Sequence, residues 1–99
     1  MTGILLFLAS AFAGILEVDI IDVGQGDSIL ILSPAGKAVL IDAGTGRQGD
    51  VVGHLKSRGV EELNLMVGTH PHADHIGGLD EVMEALPVKL FLDNGLPHT

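Results

Sequence analysis

The chain contains no cysteine, tryptophan or tyrosine among its 99 residues. Without cysteine it can form no disulfide bond, and it cannot build the cysteine-based sites that usually enclose structural zinc ions. Because its only aromatic residues are three phenylalanines, valine, isoleucine, leucine and alanine must supply the core. A hydrophobic fraction of 46% without any low-complexity tract is typical of a globular domain.

Positive charge is also scarce. Five Lys and Arg residues face 13 Asp and Glu residues, so the formal net charge is −8, and the acids are spread along the chain. This composition argues against a general nucleic-acid-binding surface. It does not exclude a phosphodiester substrate, because two bound divalent cations would reverse the local electric field.

The most informative stretch is the hexapeptide His70-Pro71-His72-Ala73-Asp74-His75, which follows Thr69 and holds three of the five histidines in the chain. Imidazole and carboxylate groups both bind divalent metals. Two other interpretations are a polar loop whose histidines cap a helix or face water, and a structural metal site. The density of ligands disfavours the first, and the lack of cysteine disfavours the second.

The flanking sequence predicts where this cluster lies. An apolar run at Leu63–Gly68 predicts a buried strand, and helical spacing of apolar residues predicts a helix over Gly77–Leu86. A loop between a strand and a helix is where open α/β sheets place their sites. In an extended loop the first two histidines point the same way, whereas the aspartate and the last histidine diverge. One pair can therefore hold one metal and the other pair a second.

The hexapeptide resembles the HxHxDH motif of the metallo-β-lactamase-fold hydrolases, and the match is complete. The resemblance implies that His70 and His72 bind the first metal, and that Asp74 and His75 bind the second. In that family a bridging hydroxide attacks the substrate, so Asp74 is also assigned to catalysis. The implied cofactors are two divalent metal ions, with Zn²⁺ expected first and Mn²⁺ as the alternative.

Two further segments extend the resemblance, and the first of them points to one branch of the family. Asp22–Asp27 reads DVGQGD, similar to the opening of a branch that contains the hydrolase domain of competence-type (ComEC-like) DNA-uptake channels and free-standing secreted relatives. Leu40–Gly44 reads LIDAG, and in the family its aspartate, here Asp42, supports the metal ligands from behind. Asp42, Asp27 and Thr69 are therefore expected to surround the ligands.

The resemblance also implies the fold class, which is α/β. The family fold is an αββα sandwich of two similar halves and is about twice as long as this chain. Residues 15–99 are accordingly expected to form the N-terminal part of the domain, with four of the family's six ligands. The remaining C-terminal half is the expected partner, and without it the inner face of the sheet would be an exposed apolar patch.

Residues 1–14 are interpreted as a signal peptide or hydrophobic leader. Ile4–Ala13 is apolar and ends in Ala11-Phe12-Ala13, an A-x-A cleavage pattern, but no Lys or Arg precedes it. The block is too short to span a bilayer. A cleaved signal predicts a secreted or periplasmic protein whose only membrane contact is the leader. The alternatives are a buried first helix or strand, and the end of a transmembrane helix in a membrane-anchored protein.

The remaining periodicities predict the other elements. Strands are expected over residues 16–23, 28–32, 37–42 and 88–92, and the second and third should form a hairpin. Asp50 is a plausible N-cap for a helix through Arg58 that stops at Gly59. His54 is interpreted as an ordinary residue of that helix.

The favoured function is a metal-dependent hydrolase, phosphodiesterase-like or nuclease-like, that acts on a phosphodiester or another ester, DNA included. Within the same class, the family also hydrolyses lactams, lactones and thioesters. Two interpretations come from other classes. One is a truncated, catalytically silent metal-binding module, and the other is a membrane-tethered accessory piece of a DNA channel.

Overall fold

The computed structural model describes residues 14–46, 49–69 and 78–93, which form five strands and two helices around one sheet. The elements are β1 (Glu17–Ile20), β2 (Ile29–Leu32), β3 (Ala38–Ile41), α1 (Val51–Ser57), β4 (Leu65–Gly68), α2 (Leu79–Ala85) and β5 (Phe91–Asp93). The strands lie side by side in chain order; β1, β2 and β3 are antiparallel, whereas β3, β4 and β5 are parallel. The α/β class expected from the sequence is therefore confirmed.

The predicted hairpin between the second and third strands is confirmed by the antiparallel pairing of β2 with β3. Its turn closes through a hydrogen bond from Ser33 N to Lys37 O of 2.9 Å. Gly36 has a φ of 85°, a conformation that glycine adopts without steric cost. The local sequence therefore sets the register of these two strands.

The last strand was predicted to begin at Val88, and this is wrong by three residues. Val88 makes only an isolated bridge with Leu63, and regular pairing resumes at Phe91 opposite Met66. Apolar periodicity cannot reveal such an interruption, because Val88, Leu90 and Leu92 alternate as a continuous strand would.

Helix α1 begins and ends as the sequence predicts. Asp50 Oδ1 accepts a hydrogen bond of 2.8 Å from Gly53 N, which makes Asp50 the N-cap. At the other end Gly59 N donates to Lys56 O and Val60 N donates to Leu55 O, the paired bonds of a Schellman motif. Gly59 has the left-handed φ of 77° that this motif requires.

Both helices cover one face of the sheet and form the core with it. The buried row across this face is Leu30, Leu40 and Met66, against which Leu55 of α1 and Val82 of α2 are also fully buried. Met83 fits the apolar spacing that predicts α2, but its side chain is 42% exposed and does not belong to the core. The exposed acids of α2 lie on its solvent side, as expected for an amphipathic helix.

On the opposite face of the sheet, the side chains of the five described strands are all aliphatic. Residues paired across strands share a face, and the register gives two rows: Ile20, Ile29, Ile41, Val67 and Leu92, and Val18, Ile31, Val39 and Leu65. No helix of the described chain covers these rows. Ile20 is 84% exposed and Val18 and Leu92 are each 55% exposed, which matches the expected apolar sheet face.

Candidate metal centre

The carboxyl ends of β3 and β4 lie side by side, and a buried carboxylate joins them. Asp42, which directly follows β3, is only 2% exposed. Its Oδ1 accepts a hydrogen bond of 2.8 Å from Thr69 N, and its Oδ2 accepts one of 2.6 Å from Thr69 Oγ1. Two bonds to one residue fix both its backbone and its side chain, so Asp42 sets the direction in which the chain leaves β4 towards His70.

The backbone of Asp42 adopts a strained conformation. Its φ of 60° is the only left-handed value at a non-glycine residue in the described ranges, and such a conformation costs about 1–3 kcal/mol. Two hydrogen bonds hold it in place: Asp42 N donates to Val67 O at 2.8 Å, and Ser28 Oγ donates to Asp42 O at 2.9 Å. Ser28 is itself only 1% exposed.

At the start of α2 the chain again contacts the segment that follows β3. Gly78 N donates to Gly44 O at 3.0 Å, and Gly44 N donates to Asp27 O at 3.0 Å. A Cβ at Gly78 would overlap the carbonyl oxygen of Ala43, so the close approach needs glycine. Both neighbours of residues 70–77, which we term the metal loop, are therefore bonded to the three-residue segment Asp42–Gly44.

The predicted ligands His70, His72, Asp74 and His75 lie outside the described residues. Within residues 14–46, 49–69 and 78–93, no three His, Asp or Glu side chains are grouped so that they could hold a metal ion. The donor set given by the sequence, three imidazoles and one carboxylate, is the chemistry that zinc prefers where cysteine is lacking. The ligand assignment accordingly stays a prediction, to which the structure adds the anchorage of both flanks.

Three residues expected around the ligands fall inside the described ranges. The structure brings Asp42 and Thr69 into direct contact. Asp27 is exposed, and its backbone carbonyl accepts the hydrogen bond from Gly44. Sequence reasoning missed Ser28 and Gly78. Strand periodicity does place Ser28 on the same face as Leu30, and a polar residue in line with core positions is the signal that could have found it.

His54 has a role that its helical position did not indicate. Its Nε2 lies 2.7 Å from Asp19 Oδ2 in β1, and the same oxygen accepts a hydrogen bond of 2.8 Å from Arg58 Nε. Arg58 also bonds Glu17. Partial burial raises the pKa of Asp19, but the bond from His54 and the charge and bond of Arg58 outweigh it, so the pKa lies below its ordinary value. This network binds α1 and its C-cap residue to β1, at the edge of the described sheet.

A cleft of about 510 Å³ lies at the opposite end of the sheet from Asp42. Its walls include Lys37 at the start of β3 and Arg58 and Glu62 beyond α1. Active sites in α/β sheets lie at the carboxyl ends of the strands, so the cleft is not part of the candidate metal centre.

No helix in the described ranges is long and apolar enough to cross a membrane. The predicted leader, residues 1–14, lies outside those ranges except for Gly14.

Comparison with known proteins points to one family. The family model described as the metallo-beta-lactamase superfamily matches residues 21–96. ComE operon protein 3 of Bacillus subtilis (strain 168) is 29% identical over an alignment 103 residues long. The alignment covers 86% of this chain and 13% of that protein. Metallo-beta-lactamase domain-containing protein 1 of Mus musculus is 38% identical over 73 residues, or 62% of this chain and 28% of that protein.

Hydroxyacylglutathione hydrolase of Xylella fastidiosa (strain M12) is 35% identical over 57 residues, covering 58% of this chain and 20% of that protein. The chain thus spans less than a third of the length of each of these relatives. The family match nevertheless includes β2 to β5, the buried Asp42 and the metal loop. With a sheet and two helices of the matching class around that segment, the chain belongs to the metallo-beta-lactamase superfamily.

Proposed function

We propose that this chain is the metal-binding N-terminal part of a hydrolase that cleaves phosphodiester bonds with two zinc ions. The observation that carries the proposal is the convergence of both flanks of the metal loop on Asp42–Gly44. Thr69 is bonded to the carboxylate of Asp42, and Gly78 is bonded to the carbonyl of Gly44. A loop tied at both ends to one rigid segment suits ligands that must be held in a fixed arrangement.

In this proposal His70 and His72 hold one metal, and Asp74 and His75 hold the other. Metal ions held by these residues would lower the pKa of a bound water molecule and would polarise the bond to be cleaved. Asp42 serves by orienting Thr69, and hence the backbone that enters His70. No serine or cysteine nucleophile is required, which agrees with the absence of cysteine from the chain.

The choice of a phosphodiester rests on the DVGQGD segment, which resembles the opening of the competence-type branch of the family. ComE operon protein 3 aligns over 86% of the chain, including the DVGQGD segment. A thioester is the second candidate, supported by the 35% identity to hydroxyacylglutathione hydrolase over 58% of the chain. The acidic net charge does not decide between them, because a bound metal pair would dominate the field at the site.

The ligand assignment can be tested on the gene product that extends to its natural stop codon. We expect His72→Ala to weaken zinc binding at least tenfold, or about 1.4 kcal/mol, as measured by competition with a chromophoric chelator. His54→Ala is the matched control, because the His54 side chain contacts Asp19 of β1 and is not a predicted ligand. This substitution should change the zinc affinity less than about twofold. Equal effects of the two substitutions would contradict the assignment.

The activity is tested with bis(p-nitrophenyl) phosphate and with a hydroxyacylglutathione thioester on the same protein. We expect hydrolysis of the diester that a chelator abolishes, that added Zn²⁺ restores, and that His72→Ala lacks. Turnover of the thioester alone would transfer the proposal to the second substrate class. Zinc binding with turnover of neither compound would favour a catalytically silent module. Turnover that persists after chelation would contradict metal-dependent hydrolysis.

A further inference from the structure

The buried hydroxyl of Ser28 is linked through Asp42 to Thr69, the residue that precedes the metal loop. Ser28 immediately precedes β2, whereas its acceptor Asp42 immediately follows β3. Both residues are almost completely buried, at 1% and 2% exposed. A buried hydrogen bond of 2.9 Å between them is shielded from competition with water.

The Ser28 hydroxyl donates to the backbone carbonyl of Asp42, the residue with the left-handed φ. At a φ of 60°, Asp42 turns its carboxylate towards Thr69 while its carbonyl is turned towards Ser28. An aspartate released from this conformation returns to the more favourable right-handed or extended region. Loss of the Ser28 bond therefore removes one of the restraints that aim the carboxylate.

Two further hydrogen bonds of this segment act on other atoms. Asp42 N is held by Val67 O, and Gly44 N is held by Asp27 O. The first of these bonds holds the amide before the Asp42 carbonyl, and the second holds an amide after it. Neither bond acts on the peptide group between Asp42 and Ala43 itself. The Ser28 hydroxyl, by contrast, donates directly to the carbonyl of that peptide group.

We propose that Ser28 is a positioning residue for the metal centre: its hydroxyl holds Asp42 in the left-handed conformation, Asp42 holds Thr69, and Thr69 directs the backbone into the first metal ligand. The inference rests on the proposed function, since it concerns how tightly the predicted ligands hold zinc. A serine with a merely structural role would instead contribute to folding and leave the metal affinity of the folded protein unchanged.

The test compares Ser28→Ala with Asn64→Ala in the full gene product. Asn64 is the matched control because its Oδ1 accepts a hydrogen bond of 2.9 Å from Ala38 N, at the opposite end of the same strand β3. Both substitutions delete a bond between a side chain and the backbone of one strand end, but only one lies beside the metal loop. Zinc affinity is measured by chelator competition at a temperature where circular dichroism shows both variants to be folded.

We expect Ser28→Ala to weaken zinc binding by about tenfold, the lower end of the range for residues that orient metal ligands. Asn64→Ala should change it less than about twofold. The visible absorption spectrum of the Co²⁺-substituted protein should change in Ser28→Ala and stay unchanged in Asn64→Ala, because it reports the coordination geometry. A double variant with Asp42→Asn should bind zinc no more weakly than Asp42→Asn alone, since both act through one contact.

If Ser28→Ala fails to fold, Ser28→Thr and Ser28→Val provide an isosteric pair that differs by the hydroxyl. Zinc binding retained by threonine and lost by valine would support the inference, and equal affinities would overturn it. Wild-type affinity and spectrum in Ser28→Ala would overturn this inference alone. A wild-type protein that binds no zinc would overturn the proposed function, and this inference with it.

Discussion

Gly78 stands where the chain leaves the metal loop and begins α2. Its φ of −87° is available to any residue, so glycine is not needed there for backbone freedom. It is needed for space, because a Cβ would overlap the carbonyl oxygen of Ala43. The close approach is what allows Gly78 N to reach Gly44 O at 3.0 Å.

We therefore expect Gly78→Ala to destabilise the protein by about 1–3 kcal/mol, the usual cost of inserting a methyl group into a filled space. It should also weaken zinc binding, because the C-terminal flank of the metal loop must shift. Gly36→Ala is the control: its φ of 85° makes alanine strained there, but no atom lies within 4 Å of the added methyl group. Urea unfolding and chelator competition on both variants would show a zinc effect for Gly78→Ala alone. Unchanged zinc affinity in Gly78→Ala would contradict the proposed anchorage.

The site residues differ in how far the sequence could identify them. Asp42 and Thr69 belong to recognisable motifs, whereas Ser28 and Gly78 act through a backbone carbonyl and through the absence of a side chain. Their contacts join positions 14 and 34 residues apart in the numbering, Ser28 with Asp42 and Gly78 with Gly44. No local pattern encodes which carbonyl a distant residue will meet.

Among the elements, α1 is too short to be stable alone. Its seven residues form about two turns, and isolated helices of that length do not persist in water. Three features stabilise it: the Asp50 cap, burial of Leu55, and the charged network in which Asp19 meets His54 and Arg58. The cap and the apolar spacing were predictable locally. The network was not, because Asp19 lies 35 residues before His54.

The depressed pKa of Asp19 gives this network a defined pH dependence. The folded-state pKa lies below the ordinary value of 3.8, so the stabilisation is fully present above that value and is lost as the pH falls through the folded-state pKa. We expect Asp19→Asn to lower the free energy of unfolding by about 1 kcal/mol at pH 7, and the difference from wild type to shrink below pH of about 3.8.

Urea unfolding at pH 7 and in acid would check this expectation. Glu84→Gln is the control, because Glu84 lies on the exposed side of α2 and its substitution should change stability by less than about 0.5 kcal/mol. A stability loss in Asp19→Asn that is equal at both pH values would mean that the ionised carboxylate is not the stabilising group.

At the scale of the whole molecule, the dominant feature is the aliphatic face of the sheet, which no helix within residues 14–46, 49–69 and 78–93 covers. Every strand contributes to it, and its outermost positions, Ile20 and Leu92, are largely exposed. Contiguous apolar surface of this kind drives association in water. Among the described strands β1 lies at the edge of the sheet and pairs with β2 alone, and an edge strand favours pairing between chains.

We expect the isolated 99-residue chain to be poorly soluble or to self-associate, as measured by light scattering. Ile20→Lys should shift it towards monomer, because the charge lies on this face. Met83→Lys is the control, since Met83 is an exposed apolar residue of α2 on the helical side. A monodisperse wild-type monomer would contradict the expectation, and equal effects of the two lysines would show that the sheet face is not responsible.

The β2–β3 hairpin and both ends of α1 were predictable from the sequence because periodicity, turn residues and caps act within a few residues. The family was predictable from its short motifs, and the α/β class followed from that resemblance. Three features depend instead on tertiary contacts: the interruption after Val88, the network that joins His54 and Arg58 to Asp19, and the bonds from both flanks of the metal loop to Asp42–Gly44. Each of these joins atoms that are distant in sequence. Whether such atoms come into contact depends on how the strands pair and how the helices pack, which the local sequence pattern does not specify.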